Sequence, residues 1–182
     1  MSSRRVTLWA SALAVALIAV PAVIVWSPRL IWNASASVPI GLYAVQPVGR
    51  IEIGNLVAVQ APDKLATFLA ARGYLPTDVP LLKHIVALPG AEVCRLGDEI
   101  TVNGTPLGMA LARDRMGRDL PVWRGCRVIA GGEVFLMNPD APDSLDGRYF
   151  GPLPASTITA RLTPLWTDAA GDGRFIWRGA AP

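Results

Sequence analysis

Hydrophobic and polar positions along the chain fall into two regimes. From Val6 to Trp26 there is no charged residue, and only Thr7, Ser11 and Pro21 interrupt the apolar run. At about 1.5 Å per residue, a helix of that length reaches roughly the 30 Å of a bilayer core. A secretory apolar region is only about 7–15 residues long, so the run predicts a retained transmembrane anchor over 6–26. Trp9 and Trp26 stand near its ends, where amphipathic rings favour the membrane interface. Arg4 and Arg5 precede it and Arg29 follows closely. The positive-inside rule then puts residues 1–5 in the cytoplasm and everything after Trp26 outside. The competing reading is a cleaved signal peptide. Ala34-Ser35-Ala36 has the small-x-small form of a cleavage site, which would release a secreted β protein after Ala36.

From Gly41 onward the pattern is mostly β. Leu42 to Val45 and Asn55 to Gln60 are short apolar runs bounded by Pro and Gly. Pro62 to Gly73 is the one clear helix. Leu65, Phe68, Leu69 and Arg72 give it a face, Pro62 suits its first turn and Gly73 its stop. Leu81 to Leu88 predicts a strand ended by Pro89-Gly90. Ile100 to Val102 meets Asn103-Gly104, a two-residue hairpin signal. Val134 to Met137 is a further strand, and Ile158 to Trp166 is expected to close the sheet. Residues 108–126 are charged and weakly periodic, which predicts a surface excursion. The Gly- and Ala-rich tail, 169–182, is expected to be loosely held. Short strands, many turns and one helix predict a mainly β fold: an antiparallel, partly closed sheet over 27–168.

Composition narrows the chemistry. The chain has 182 residues and a net charge of +3, with no block of Lys or Arg, which argues against nucleic-acid binding. Cys94 and Cys126 are too few for a disulfide scaffold or a metal site, and His84 is the single histidine. No cofactor and no metal are expected. One Cys94–Cys126 disulfide is open to the chain if the domain lies outside the cytoplasm, although sequence does not bring the two together.

A Ser-His-Asp hydrolase would rest wholly on His84. It follows Lys83 in the predicted strand, so the two side chains point to opposite faces. Lys83 shares its face with Leu81, Ile85 and Ala87, and both faces look at least partly buried. A lysine there is costly unless burial drives its pKa down, which is also what makes a lysine a base. The bland alternative is a lysine snorkelling at a strand edge. In DAPDSLDGRYFG, Asp140 to Gly151, Asp146 and Arg148 are two apart and would share a face in an extended segment. An exposed charged loop is the commoner meaning of such a string. Asn33-Ala34-Ser35 also fits a glycosylation sequon.

In this order the segments resemble the type I signal peptidases, membrane-anchored Ser/Lys proteases, from about residue 30 to 166. KHIVALPG is similar to that family's lysine box. GEVFLMN with DSLDGRYFG is similar to its final box, although Met137-Asn138-Pro139 replaces the usual Gly-Asp-Asn. In the serine segment only Val38 separates Ser37 from Pro39, and Gly41-Leu42-Tyr43 follows. That short form, with ARGYLP at 71–76, resembles the TraF-type branch, which processes the pilin precursor of conjugative transfer systems. The resemblance implies Ser37 as nucleophile and Lys83 as general base. It implies Ser35 as an oxyanion-hole hydroxyl beside the Ser37 backbone N–H, Ser144 orienting the Lys83 amine, and Asp146 with Arg148 as a supporting ion pair. On an extended chain Ser35 and Ser37 would point to the same side. The implied partners are a precursor protein and membrane lipid. The implied location is a bacterial inner membrane, crossed once, with the catalytic domain on the periplasmic side. Two other readings remain: a general leader peptidase, and an inactive membrane-anchored β module that binds partners.

Overall fold

Among the described residues, short apolar runs between turns become twelve strands, and the pairings between them are antiparallel. The computed structural model describes residues 3–23 and 29–177. The helix α1 (Ser3–Val23) is followed by β1 (Leu30–Asn33), β2 (Ile40–Gln46), β3 (Leu56–Val59) and α2 (Asp63–Ala71). Then come β4 (Leu81–Ala87), β5 (Glu92–Leu96), β6 (Glu99–Val102), β7 (Thr105–Met109), β8 (Gly125–Val128) and β9 (Glu133–Met137). A one-turn helix α3 (Gly147–Phe150), β10 (Leu153–Pro154), β11 (Ile158–Asp168) and β12 (Ile176–Trp177) complete the chain.

The larger sheet runs β1-β2-β11-β3-β4-β9-β10, with β12 added on β11. It is an open path with β1 and β10 at its ends, not a closed one. The expectation that residues 158–166 close the sheet is corrected: β11 is central and pairs with both β2 and β3. Its length, eleven residues, lets it serve the two neighbours in succession. One face packs Val38, Tyr43, Leu56, Leu82 and Leu162; the other packs Val57, Val59, Ile85, Val134 and Leu136. Where both faces are covered, at β3 and β9, the strands read as continuous apolar runs, whereas the start of β11 alternates.

A second sheet, β7-β6-β5-β8, joins the first through Ala87, Val93, Ile100, Phe135 and Met137. Asn103-Gly104 makes the expected hairpin, and Asn103 carries the left-handed φ of 49° that this turn needs. Cys94 and Cys126 face each other across β5 and β8 and are disulfide-bonded, with Cα atoms 4.0 Å apart.

Residues 108–126 are not a loose excursion. Ala110 and Leu120 are buried against Tyr149, and the Leu111 N–H donates to the Tyr149 hydroxyl at 2.9 Å. Tyr74 donates to Asp114, Arg118 pairs with Asp114 at 2.7 Å, and Arg72 donates to the Asp119 carbonyl at 2.7 Å. Two of the charges that suggested a solvated loop, Asp114 and Arg118, strap it to the ARGYLP segment, while Arg113, Arg115 and Asp119 keep exposed side chains.

Among the described residues, no helix is long and apolar enough to cross a membrane. The described part of α1 spans Ser3–Val23. Trp26 and its neighbours at 24–28, with residues 1–2 and the last five of the expected tail, lie outside the described residues.

Gly41 shows why a glycine follows the serine segment. It pairs with Thr167, and a Cβ there would lie 2.2 Å from the Trp166 carbonyl oxygen. Its φ is also positive, at 147°. Gly97 has a positive φ too, but open space where a Cβ would go. Thermal unfolding should therefore show Gly41→Ala losing more than about 2 kcal/mol, while Gly97→Ala loses about 1. Equal losses would mean that the β2–β11 approach is not limiting.

Candidate active site

The serine segment is a turn hung between β1 and β2, not an extended strand. Residues 35–38 bend and turn, which corrects the expectation that alternation alone aligns Ser35 and Ser37. Their hydroxyls nevertheless meet, with Oγ atoms 3.2 Å apart. Asn33, the last residue of β1, holds the turn from below. Its Nδ2 donates to the carbonyls of Ser35 (2.7 Å), Val38 (3.0 Å) and Pro39 (3.1 Å). Its Oδ1 accepts from the Ser35 N–H at 3.1 Å and the Ser35 hydroxyl at 2.9 Å. Tyr43 donates to the same Pro39 carbonyl at 2.6 Å, and burial pushes its pKa up to about 12, so it stays a donor.

Lys83 sits in the middle of β4, between β3 and β9, and is only 4% exposed. Val57 lies directly opposite it on β3. Burial lowers its pKa from 10.5 to about 8; the Asp146 charge opposes this and the Arg148 charge adds to it. The amine donates to Ser144 Oγ at 2.8 Å. A snorkelling edge lysine is thereby excluded, because the strand is central and the amine is enclosed.

The loop that brings Ser144 is built on a buried ion pair. Asp146 and Arg148 are both within 2% of full burial, with Nε and Oδ1 3.1 Å apart. They do not meet across an extended strand. Asp146 caps α3, accepting from the Arg148 N–H at 3.1 Å, and the helical turn folds the guanidinium back. That guanidinium then donates to the carbonyls of Asn138 (2.5 Å), Ala141 (2.9 Å) and Pro142 (2.8 Å). Gly147 is obligatory, since a Cβ would lie 2.7 Å from the Phe135 ring.

Asn138 is the residue that sequence reasoning noted only as a departure. It is buried, and its Nδ2 donates to the Leu82 carbonyl at 3.0 Å. Its Oδ1 accepts from the His84 N–H and meets His84 Nδ1, both at 3.1 Å. Its own N–H donates to Asp146 Oδ2 at 3.0 Å. Asn138 thus joins the lysine strand to the ion pair and turns the single histidine toward itself. A polar residue directly after the apolar strand GEVFLM was the available signal. Asn33 carried a similar one, at the end of β1 beside two serines.

Lys83, Ser144, Asp146, Arg148 and Asn138 form one connected cluster; Ser35, Ser37, Asn33 and Tyr43 form another. Val38 and Leu82, next to Ser37 and Lys83, belong to the same core cluster. Among the described residues no hydrogen bond joins Ser37 to Lys83, a looseness common before substrate binds. Glu92, Cys94 and Cys126 are close enough to suggest a metal site, but both sulfurs are taken by the disulfide. A cavity of about 570 Å3 between Arg95, Asp98, Asp119 and Arg124 contains none of the expected residues.

A mainly antiparallel β scaffold with a buried lysine beside a serine is peptidase-like in kind. The chain belongs to the signal peptidase family: the profile described as signal peptidase, peptidase S26, matches residues 4–166. It is 36% identical to the conjugal transfer protein TraF of Agrobacterium fabrum over 146 residues, 74% of this chain and 81% of that one. It is 32% identical to a plasmid transfer protein TraF of Escherichia coli over 146 residues, with the same coverage. A signal peptidase I from Enterococcus faecalis V583 aligns over 64% of this chain and 99% of its own, with 17% identity and a TM-score of 0.39. At that score the structural likeness bears no argument.

The Lys83 shift has a thermodynamic consequence. The folded pKa is lowered, so between about pH 8 and 10.5 the unfolded chain binds the extra proton. Stability relative to Lys83→Met should therefore rise with pH through that window, by about 3 kcal/mol in full. Denaturant titrations of both proteins from pH 7 to 10 check this. A constant difference would mean that Lys83 is not protonated on unfolding.

Proposed function

We propose that the chain is a membrane-anchored serine endopeptidase that uses Ser37 and Lys83 to process exported precursor proteins. The observation that carries this is the enclosed Lys83 amine, with its pKa near 8 and its donation to Ser144. A base must be largely neutral near working pH and held by a partner that does not take its lone pair. Donating to Ser144 leaves that lone pair open.

The neutral amine takes the Ser37 proton as Oγ attacks the peptide carbonyl. The Ser35 hydroxyl and the Ser37 N–H stabilise the oxyanion, at about 3 kcal/mol per donor. The Lys83 ammonium then protonates the leaving amine. Water, with its proton passing to Lys83, resolves the acyl-enzyme and restores Ser37. If the substrate's own amine replaces water, the product is cyclic.

The relatives named as conjugal and plasmid transfer proteins support a peptidase-like role in conjugal transfer. Maturation of a conjugative pilin precursor is the specific form we infer. It rests on the short Ser37-Val38-Pro39 segment, which also separates this reading from a general leader peptidase. The anchor over 6–26 and a periplasmic catalytic domain belong to the same proposal. An inactive binding module would need neither a neutral lysine nor the bonds that aim it.

Ser37→Ala and Lys83→Ala should each lower turnover at least about 10³-fold with the fold intact, measured on a co-expressed pilin precursor by product mass. His84→Ala should retain activity, because its Nδ1 is turned to Asn138. The wild-type rate should rise with pH through about 8 as Lys83 loses its proton. Near-normal turnover by Lys83→Ala, or a flat profile from about pH 6 to 9, would sink the dyad. Cleaved and cyclised products differ by one water.

A further inference from the structure

The turn that carries Ser35 and Ser37 directs its hydrogens away from where the reaction needs them. Ser35 has one hydroxyl hydrogen, and Asn33 Oδ1 can only accept, so their 2.9 Å bond uses it. The 3.2 Å contact between the serines then has one direction, with Ser37 Oγ–H donating to Ser35 Oγ. The Asn33 amide cannot be turned over. Its NH2 would then face the Ser35 N–H, and its oxygen would face the carbonyls of Ser35, Val38 and Pro39. Asn33 is 6% exposed, so water could not relieve either mismatch.

An oxyanion-hole hydroxyl must aim its hydrogen at the substrate oxygen, and the nucleophile must give its hydrogen to the base. Here both hydrogens run along a chain that ends on Asn33. We propose that Asn33 is a positioning residue: its Oδ1 holds the Ser35 hydroxyl hydrogen until substrate enters, while its NH2 fixes the turn. This rests on the Ser37/Lys83 reading above. Rotation of the Ser35 hydroxyl toward an incoming carbonyl costs little, because that side chain is exposed. Asn33 Oδ1 keeps the Ser35 N–H at 3.1 Å, so no buried acceptor is orphaned by the release. The Ser37 hydrogen reaches Lys83 by a separate rotation of its own hydroxyl away from Ser35 Oγ. Asn33 acts through Ser35 and touches neither substrate nor base.

The test is a double-mutant cycle on the full chain in detergent, with a fluorogenic peptide carrying Ala before the scissile bond. Asn33→Asp keeps the volume, strengthens the acceptor with charge and removes the donors. Ser35→Ala should lower kcat about 10²–10³-fold. Asn33→Asp should lower kcat to within a few fold of that level, with KM changed less than about threefold. The double variant should be no slower than Ser35→Ala alone, because both changes act through one hydroxyl. Losses that multiply, or an Asn33→Asp enzyme at the wild-type rate, overturn the proposal. If Asn33→Asp does not fold, the cycle is run with Asn33→Ala, which removes the acceptor together with the donors, and losses that multiply again overturn the proposal. Ser37→Ala and Lys83→Ala run alongside. If either turns over normally, the Ser/Lys reading falls and takes this proposal with it; if both are silent and losses multiply, this proposal alone falls.

Discussion

The structure turns on weakening the proton affinity of one lysine amine inside a central strand. A charged ammonium there loses its hydration without a carboxylate bonded to it, so burial lowers its pKa to about 8. Several features around Lys83 support that condition. Strands on both sides satisfy the backbone of β4, and Ser144 accepts from the amine without adding charge. Asp146 is the one group acting to hold the proton on. Its carboxylate is already bonded to the Arg148 guanidinium, to the Arg148 N–H and to the Asn138 N–H. The ion pair thus does two jobs: it builds the loop that delivers Ser144, and it occupies the carboxylate that would otherwise capture the lysine proton.

That economy makes the polar network demanding. Arg148 satisfies three loop carbonyls, and Asn138 uses its side chain on β4 and its backbone on the Asp146 cap of α3. A fully satisfied buried network specifies a single geometry, whereas a partly satisfied one is worse than an apolar core. The four-residue α3 exists for this reason. It is too short to be stable by itself, and it forms because Asp146 caps it and Gly147 lets it press on Phe135.

The strand content, the helix at α2 and the Asn103-Gly104 hairpin were legible because periodicity and turn chemistry are local. So were the burial of Lys83 and the pairing of Asp146 with Arg148, although the pairing arises from a helical cap and not from a shared strand face. What sequence could not reveal is long-range. The central position of β11 depends on pairing with strands more than a hundred residues earlier. The charges of 110–124 looked solvated because their partners, Tyr74 and Arg72, lie forty or so residues away. Asn33 and Asn138 were passed over for a physical reason. An asparagine in a turn is commonplace, and only burial reveals that its amide organises the turn.

The second sheet is tied to this site more closely than its separate hydrogen bonding suggests. Arg95 follows Cys94 on β5 and is 1% exposed. It donates to the Arg148 carbonyl at 2.7 Å, and its guanidinium carbon lies 5.9 Å from the centre of the Tyr149 ring. Tyr149 in turn receives the Leu111 N–H from the strap. The disulfide fixes β8 against β5 directly beside that arginine. Losing this carbonyl would leave one buried donor of Arg95 unmet, a cost of about 1–3 kcal/mol, although Asp98, Gly97 and Pro121 keep its other contacts. Detaching the second sheet from α3 is therefore penalised at the residue whose side chain holds Asp146. The accessory sheet, the strap and the disulfide act as the outer wall of the lysine site, so residues 94–126 support its shape from behind, on the side of α3.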